Sequence, residues 1–114
     1  MAPNAISFVE FGSGDASKSR AFLEQLFGWT FTEMDGGPQG WFQTASMRAG
    51  LHSNDPEPGI LVFFPVADLE AAVAKVIELG GESTPPGAAE PGFGRFAMCK
   101  DPQGIRFGLH QAHS

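Results

Sequence analysis

The chain of 114 residues contains no tyrosine and a single cysteine, and only seven lysines and arginines stand against thirteen aspartates and glutamates. Cys99, being alone, can close no internal disulfide and cannot supply the paired thiolates of a structural zinc site. The formal charge of -6 makes a nucleic-acid backbone or an anionic membrane surface an unfavourable partner, so neither is expected. The longest apolar run, Ile60 to Ala67, is far short of the roughly 20 residues that cross a bilayer. Residues 1–10 also lack the basic stretch and apolar run of a secretory leader, and a cytoplasmic protein is the expectation. Gly12-Ser13-Gly14 precedes a helical stretch but has neither the Gly-Lys-Ser/Thr ending of a phosphate loop nor the third Gly of a dinucleotide loop. No Gly-x-Ser-x-Gly elbow is present either.

What is there is a core. Hydrophobic residues make up 42% of a chain whose length suits one domain. The aromatic surface comes almost entirely from eleven Phe, which carry no hydroxyl, so it suits packing or the wall of an apolar pocket. Fifteen Gly and nine Pro punctuate the chain densely and forbid long helices.

The periodicity predicts a strand over Ile6 to Phe11, with Phe8 and Glu10 on one face and Ser7, Val9 and Phe11 on the other. Asp15 then caps a helix from Ala16 to Phe27 whose inward face is read as Phe22, Leu23, Leu26 and Phe27, ended by Gly28. Weaker strands come next at Trp29 to Met34, Gly40 to Ala45 and Arg48 to His52. Ser53 to Gly59 reads as a polar linker with nothing to pack. The pattern then starts again. A strand at Ile60 to Phe64 leads to a helix capped by Asp68, with Leu69, Ala72, Val73, Val76 and Ile77 inward and Gly80-Gly81 as the stop. Strands near Glu82 to Thr84, Gly94 to Cys99 and Ile105 to His110 complete it, the last two joined by the turn Asp101-Pro102-Gln103-Gly104.

The two halves align. The caps Asp15 and Asp68 lie 53 positions apart, Gly40-Trp41-Phe42 matches Gly94-Arg95-Phe96 at 54, and Ala49-Gly50-Leu51-His52 matches Phe107-Gly108-Leu109-His110 at 58. Three matches in order at nearly constant offset indicate a duplicated βαβββ unit, the first about 5–52 and the second about 60–111 with linker 53–59 between. The fold class is α+β in a single domain. One unit is too small to cover both faces of its own sheet, so two copies must meet.

A tandem βαβββ chain with Ala21-Phe22-Leu23-Glu24-Gln25-Leu26-Phe27-Gly28-Trp29 near its start and Asp101-Pro102-Gln103-Gly104-Ile105-Arg106-Phe107-Gly108-Leu109-His110 at its end resembles the vicinal oxygen chelate superfamily. That superfamily holds glyoxalase I, extradiol dioxygenases and bleomycin-resistance proteins; the two stretches resemble a bacterial glyoxalase-like subgroup. The resemblance implies a curled eight-stranded cup with two outer helices, closed around a small molecule. It also implies metal ligands on the first and fourth strands of each unit, at positions occupied here by Phe8, Gly50, Leu61 and Gly108. None of these has a donor atom, whereas a catalytic divalent ion needs about three ligands from His, Cys or carboxylate. No metal and no other cofactor is therefore expected.

Two residues further along the same faces stand Glu10, His52, Phe63 and His110. Glu10, His52 and His110 have the composition of a two-histidine, one-carboxylate iron site, but at about 3.3 Å per residue the displacement carries the two histidines more than roughly 10 Å apart. Glu10, mid-strand on an apolar face, is the candidate catalytic base or ligand anchor, with pairing to His52 or to an arginine as the equally weighted alternative. Phe8, Trp41, His52, Leu61, Phe63 and His110 are the remaining candidate ligand-binding residues, and Trp41 could equally serve a dimer contact. Cys99 reads as a small buried hydrophobe and His113 as part of a solvated tail. Two functions remain open. One is a metal-free small-molecule binding protein with a Phe-lined cup, on the bleomycin-resistance precedent. The other is a lyase, isomerase or dioxygenase-type enzyme using Glu10 with His52 or His110, with or without a displaced divalent metal. A homodimer is expected for either.

Overall fold

The computed structural model describes residues 5–112; His113 lies outside them. Two compact units emerge, residues 8–61 and residues 62–112 joined by residues 5–7, so the division falls inside a strand and Ser7 joins the second half. The described residues include no helix long and apolar enough to cross a membrane.

In the first unit β1 (Phe8–Gly12) is followed by α1 (Ala16–Phe27) and by β2 (Thr30–Glu33), β3 (Gly40–Gln43) and β4 (Arg48–His52). The strand order is β2-β3-β4-β1, with β1 parallel to β4 and the others antiparallel. Asp15 caps α1 by accepting from the Lys18 amide, and Gly28 ends it in the left-handed region at φ 71°, which a side chain would disfavour. Val9 and Phe11 turn toward a core of Ala16, Phe42, Ala49 and Leu51, as the alternation along β1 requires.

The second unit repeats the plan. β5 (Gly59–Pro65) leads to α2 (Leu69–Glu78), then β6 (Glu82–Ser83), β7 (Arg95–Lys100) and β8 (Arg106–Gln111), in the order β5-β8-β7-β6. Asp68 caps α2 through the Ala71 amide, the counterpart of Asp15. The registers agree as well: Glu10 faces Gly50 in the first parallel pair, and Phe63 faces Gly108 in the second. The duplicated βαβββ unit of an α+β fold is thus present, strand for strand.

The helices correct two readings. On α1 only Leu23 of the four expected residues packs against the core, while Phe22, Leu26 and Phe27 are 66, 59 and 54% exposed. Ala16, Leu23 and Phe27 follow one line along the helix; Phe22 and Leu26 lie a step of 100° round it, beyond the reach of four short strands. Phe27 leaves the core at the last turn and stacks on Trp29 at 4.4 Å. On α2, Leu69 and Val73 are buried with Ala72 and Val76 against them, but Ile77 is 59% exposed for the same reason.

The segment 53–59 also differs from an idle linker. Ser53 Oγ accepts from the Ala16 amide, giving α1 a second N-terminal acceptor, and the Asp55 amide donates to Ser13 O. Packing decides what truncation costs. Phe42→Ala, at a fully buried site, should lose about 3–5 kcal/mol in urea denaturation, whereas Leu26→Ser should stay within about 0.5 kcal/mol.

Candidate functional site

The close approach of two strands builds the first constellation. Glu10 lies over Gly50, where an added Cβ would come within 1.9 Å of Glu10 Oε1 and 3.1 Å of Phe8 Cζ. The missing side chain at 50 is what lets the carboxylate and the buried Phe8 ring share one spot on the sheet. From there Glu10 Oε2 reaches His52 Nδ1 at 2.6 Å, and His52 Nε2 lies 2.8 Å from Asp55 Oδ2. Asp55 in turn fits only because residue 12 is glycine: a Cβ there would be 2.0 Å from Asp55 Oδ2. Glu10, His52 and Asp55 therefore form one carboxylate–imidazole–carboxylate chain, and Glu10 pairs with His52, one of the two roles its sequence position allows.

Burial is the largest single influence on His52 and works against its charged form. Hydrogen bonds from the imidazole to Glu10 and then Asp55, with their negative charges, outweigh it and raise the pKa above the ordinary value. With both carboxylates ionised, the imidazolium can donate from both ring nitrogens.

The second unit uses the same backbone device for an aromatic arrangement. An added Cβ at Gly108 would come within 2.1 Å of Phe63 Cδ2, so glycine admits the Phe63 ring, which is 3% exposed. Phe63 meets Phe96 edge-on at 5.2 Å, and Phe96 stacks on His110 at 4.6 Å and 8°. His110 is buried; its Nδ1 lies 2.9 Å from Ser7 Oγ and its Nε2 bonds the Phe93 carbonyl. The carbonyl can only accept, so Nε2 carries hydrogen and donates to it, while Nδ1 meets the Ser7 hydroxyl, which also donates to the Phe63 carbonyl at 3.4 Å.

The candidate residues thus separate by role. Phe8, Glu10 and His52 come together over Gly50. Trp41 stands opposite Gly50 across β3 and β4, with the Arg48 guanidinium 5.4 Å from its ring centre. Leu61 is half-buried on β5. His110 is buried within the second unit, both ring nitrogens engaged by protein oxygens. Cys99 is buried, and burial pushes its thiol pKa up despite a 3.4 Å contact to Ser83 Oγ, so it is a poor nucleophile. Two residues carry no clear mark in the linear chain. Asp55 is hidden in a turn-rich stretch, its only signal being a place three residues after His52. Ser7, 103 positions from His110, gives none.

The donor set decides whether a metal could sit here. Phe8, Gly50, Leu61 and Gly108 offer no donor, and the spaces at 50 and 108 are filled by Glu10 and Phe63. Both ring nitrogens of His52 and of His110 are engaged by protein oxygens. Among the described residues, no group of three or more His, Cys, Asp and Glu side chains is placed to hold a metal ion.

A family model described as the Glyoxalase/Bleomycin resistance protein/Dioxygenase superfamily matches residues 5–109. The chain is 30% identical over 130 aligned positions to the anthracycline biosynthesis protein DnrV of Streptomyces peucetius, covering 96% of this chain and 47% of DnrV. It spans less than half the length of the curated relatives it matches. Among solved structures, the hypothetical protein BH1468 from Bacillus halodurans C-125 superposes with a TM-score of 0.73 at 12% identity, over 99% of this chain and 97% of that one. Methylmalonyl-CoA epimerase from Mycobacterium tuberculosis superposes with a TM-score of 0.69 at 14% identity, over 100% and 93%.

Two measurements check the site. A His52 pKa raised on folding adds stability that is complete below the unfolded value of about 6.5 and is lost as pH rises through the folded value. The melting temperature should therefore fall over that window in the native chain, and this component should vanish in His52→Gln. Separately, Gly108→Ala forces a methyl against a buried ring and should cost about 1–3 kcal/mol. Gly50→Ala meets chiefly the end of a flexible carboxylate, with Phe8 Cζ needing to give slightly, and should cost less, while lowering the His52 pKa measured by NMR.

Proposed function

We propose that this chain, which belongs to the glyoxalase/bleomycin resistance protein/dioxygenase superfamily, is a metal-free small-molecule binding protein of that family. One observation carries the reading: where the family places its metal donors this chain has Phe8, Gly50, Leu61 and Gly108, and the space cleared at 50 and 108 holds a carboxylate and a phenyl ring. Apolar walls with a few placed polar groups suit a small organic ligand. Glu10, oriented by His52 and steadied through Asp55, is the polar anchor. Phe8, Trp41, His52 and Leu61 supply ligand-binding surroundings within the first unit. The protein acts as a homodimer in this reading, because a chain of this size has limited core of its own.

A second reading rests on the Glu10–His52 contact. A carboxylate held 2.6 Å from an imidazole can take a proton from carbon while the imidazole holds the charge balance, which is the chemistry of a metal-free isomerase or epimerase. The likeness to methylmalonyl-CoA epimerase supports the scaffold for it and not the substrate.

Native mass spectrometry of the purified protein should show a dimer carrying an organic ligand, and elemental analysis should find no stoichiometric metal. Nickel, zinc, manganese and ferrous salts should leave the melting temperature unchanged. Glu10→Gln should weaken that ligand roughly tenfold or more, the scale of one charge-assisted hydrogen bond. Unchanged affinity, or a stoichiometric metal, would overturn the proposal. Exchange of a ligand C–H in heavy water, abolished by Glu10→Gln, would favour the enzyme.

A further inference from the structure

Glu10 and Phe11 point to opposite faces of β1, and the face carrying Phe11 borders a cavity of its own. This cavity, about 380 Å³, opens within the first unit between α1, the Gly12-Ser13 turn and the start of β5. It lies near the lower end of the roughly 300–1,000 Å³ typical of small-molecule clefts. Its walls are Phe11, Phe22, Leu23 and Ile60, and two of these, Phe22 and Ile60, are 66 and 59% exposed. Both are large apolar side chains left open to solvent at the mouth of a concave site.

The polar side chains of the cavity are few. Lys18 lines it, and among the described residues its ammonium forms no ion pair, although acidic residues outnumber basic ones almost two to one in this chain. Ser13 and Ser19 line it too, their hydroxyl oxygens 2.6 Å apart, with Ser13 Oγ also accepting from the Asp15 amide. One hydroxyl proton closes the Ser13–Ser19 bond whichever residue donates, so the other proton of the pair remains for a ligand. The acids of the adjoining loops are already engaged, Asp15 by the Lys18 amide and Asp55 by His52.

An ammonium and one hydroxyl donor beside an apolar wall match a carboxylate attached to a hydrocarbon body. The geometry points to a second binding site, on the helix side of β1, for a small amphipathic carboxylic acid, with Lys18 and the Ser13–Ser19 pair holding the carboxylate. This site shares no side chain with the Glu10–His52–Asp55 chain and stands independently of the function proposed for it.

The test is an amide NMR titration of the full chain with octanoate below its micelle concentration, and with octanol as the uncharged control. Octanoate should give saturable shifts at Ser13, Lys18, Ser19, Phe22 and Leu23 and bind roughly tenfold or more tightly than octanol, the discrimination of one charge-assisted contact. Lys18→Ala, an exposed substitution that leaves the fold intact, should remove that advantage, and Lys18→Arg should keep most of it. Glu10→Gln should leave octanoate binding unchanged, which separates this site from the other. Equal binding of octanol, saturable shifts confined to Glu10 and His52, an absence of saturable shifts, or unaltered octanoate affinity in Lys18→Ala would each overturn the proposal.

Discussion

Each unit of this fold depends on a parallel pair of strands in which one residue lacks a side chain. In such a pair, neighbours on the same face stand close enough that a bulky group on one strand can lie across the other only over a glycine. Gly50 gives this room to Glu10, and Gly108 gives it to Phe63. Those two positions set the contacts beyond them. Glu10 lying flat reaches His52, which reaches Asp55; Phe63 lying flat meets Phe96, on which His110 stacks. A methyl at either glycine would disturb a chain of contacts that ends several residues away.

The same backbone device supports opposite chemistry in the two repeats. In the first, three ionisable groups run in a line from β1 to the segment after β4, and the imidazole is biased toward its charged form. In the second, the equivalent line is two phenyl rings and a buried histidine held by a serine hydroxyl and a carbonyl. Duplication kept the strand register and the caps, while the residues placed on them diverged. The imidazole that each copy retains, His52 and His110, consequently plays a different part in each half.

The strand β1 also separates two sets of side chains by face. Phe8 and Glu10 look toward Gly50, while Val9 and Phe11 look toward the core beneath α1. Because α1 covers only the line through Ala16 and Leu23, it leaves Phe22 exposed beside Ile60, and Lys18 without an ion partner among the described residues. A helix whose inward face is narrower than its apolar content creates the opening on that side.

The order of elements, both helix caps and the duplication were legible in the linear sequence, because they depend on local spacing and residue type. The family was legible for the same reason: two short motifs and a repeat suffice to mark it. The width of the helices' buried faces was not, since apolar residues at helical spacing look alike until the number and length of the strands beneath them are known. Nor could the sequence choose between a free Glu10 and one paired with His52, or find Asp55 and Ser7 as histidine partners. Those pairings depend on strand register and on the turns that bring distant residues within hydrogen-bonding distance, and a hydrogen bond made or missed by an ångström is decided only when the backbone is in place.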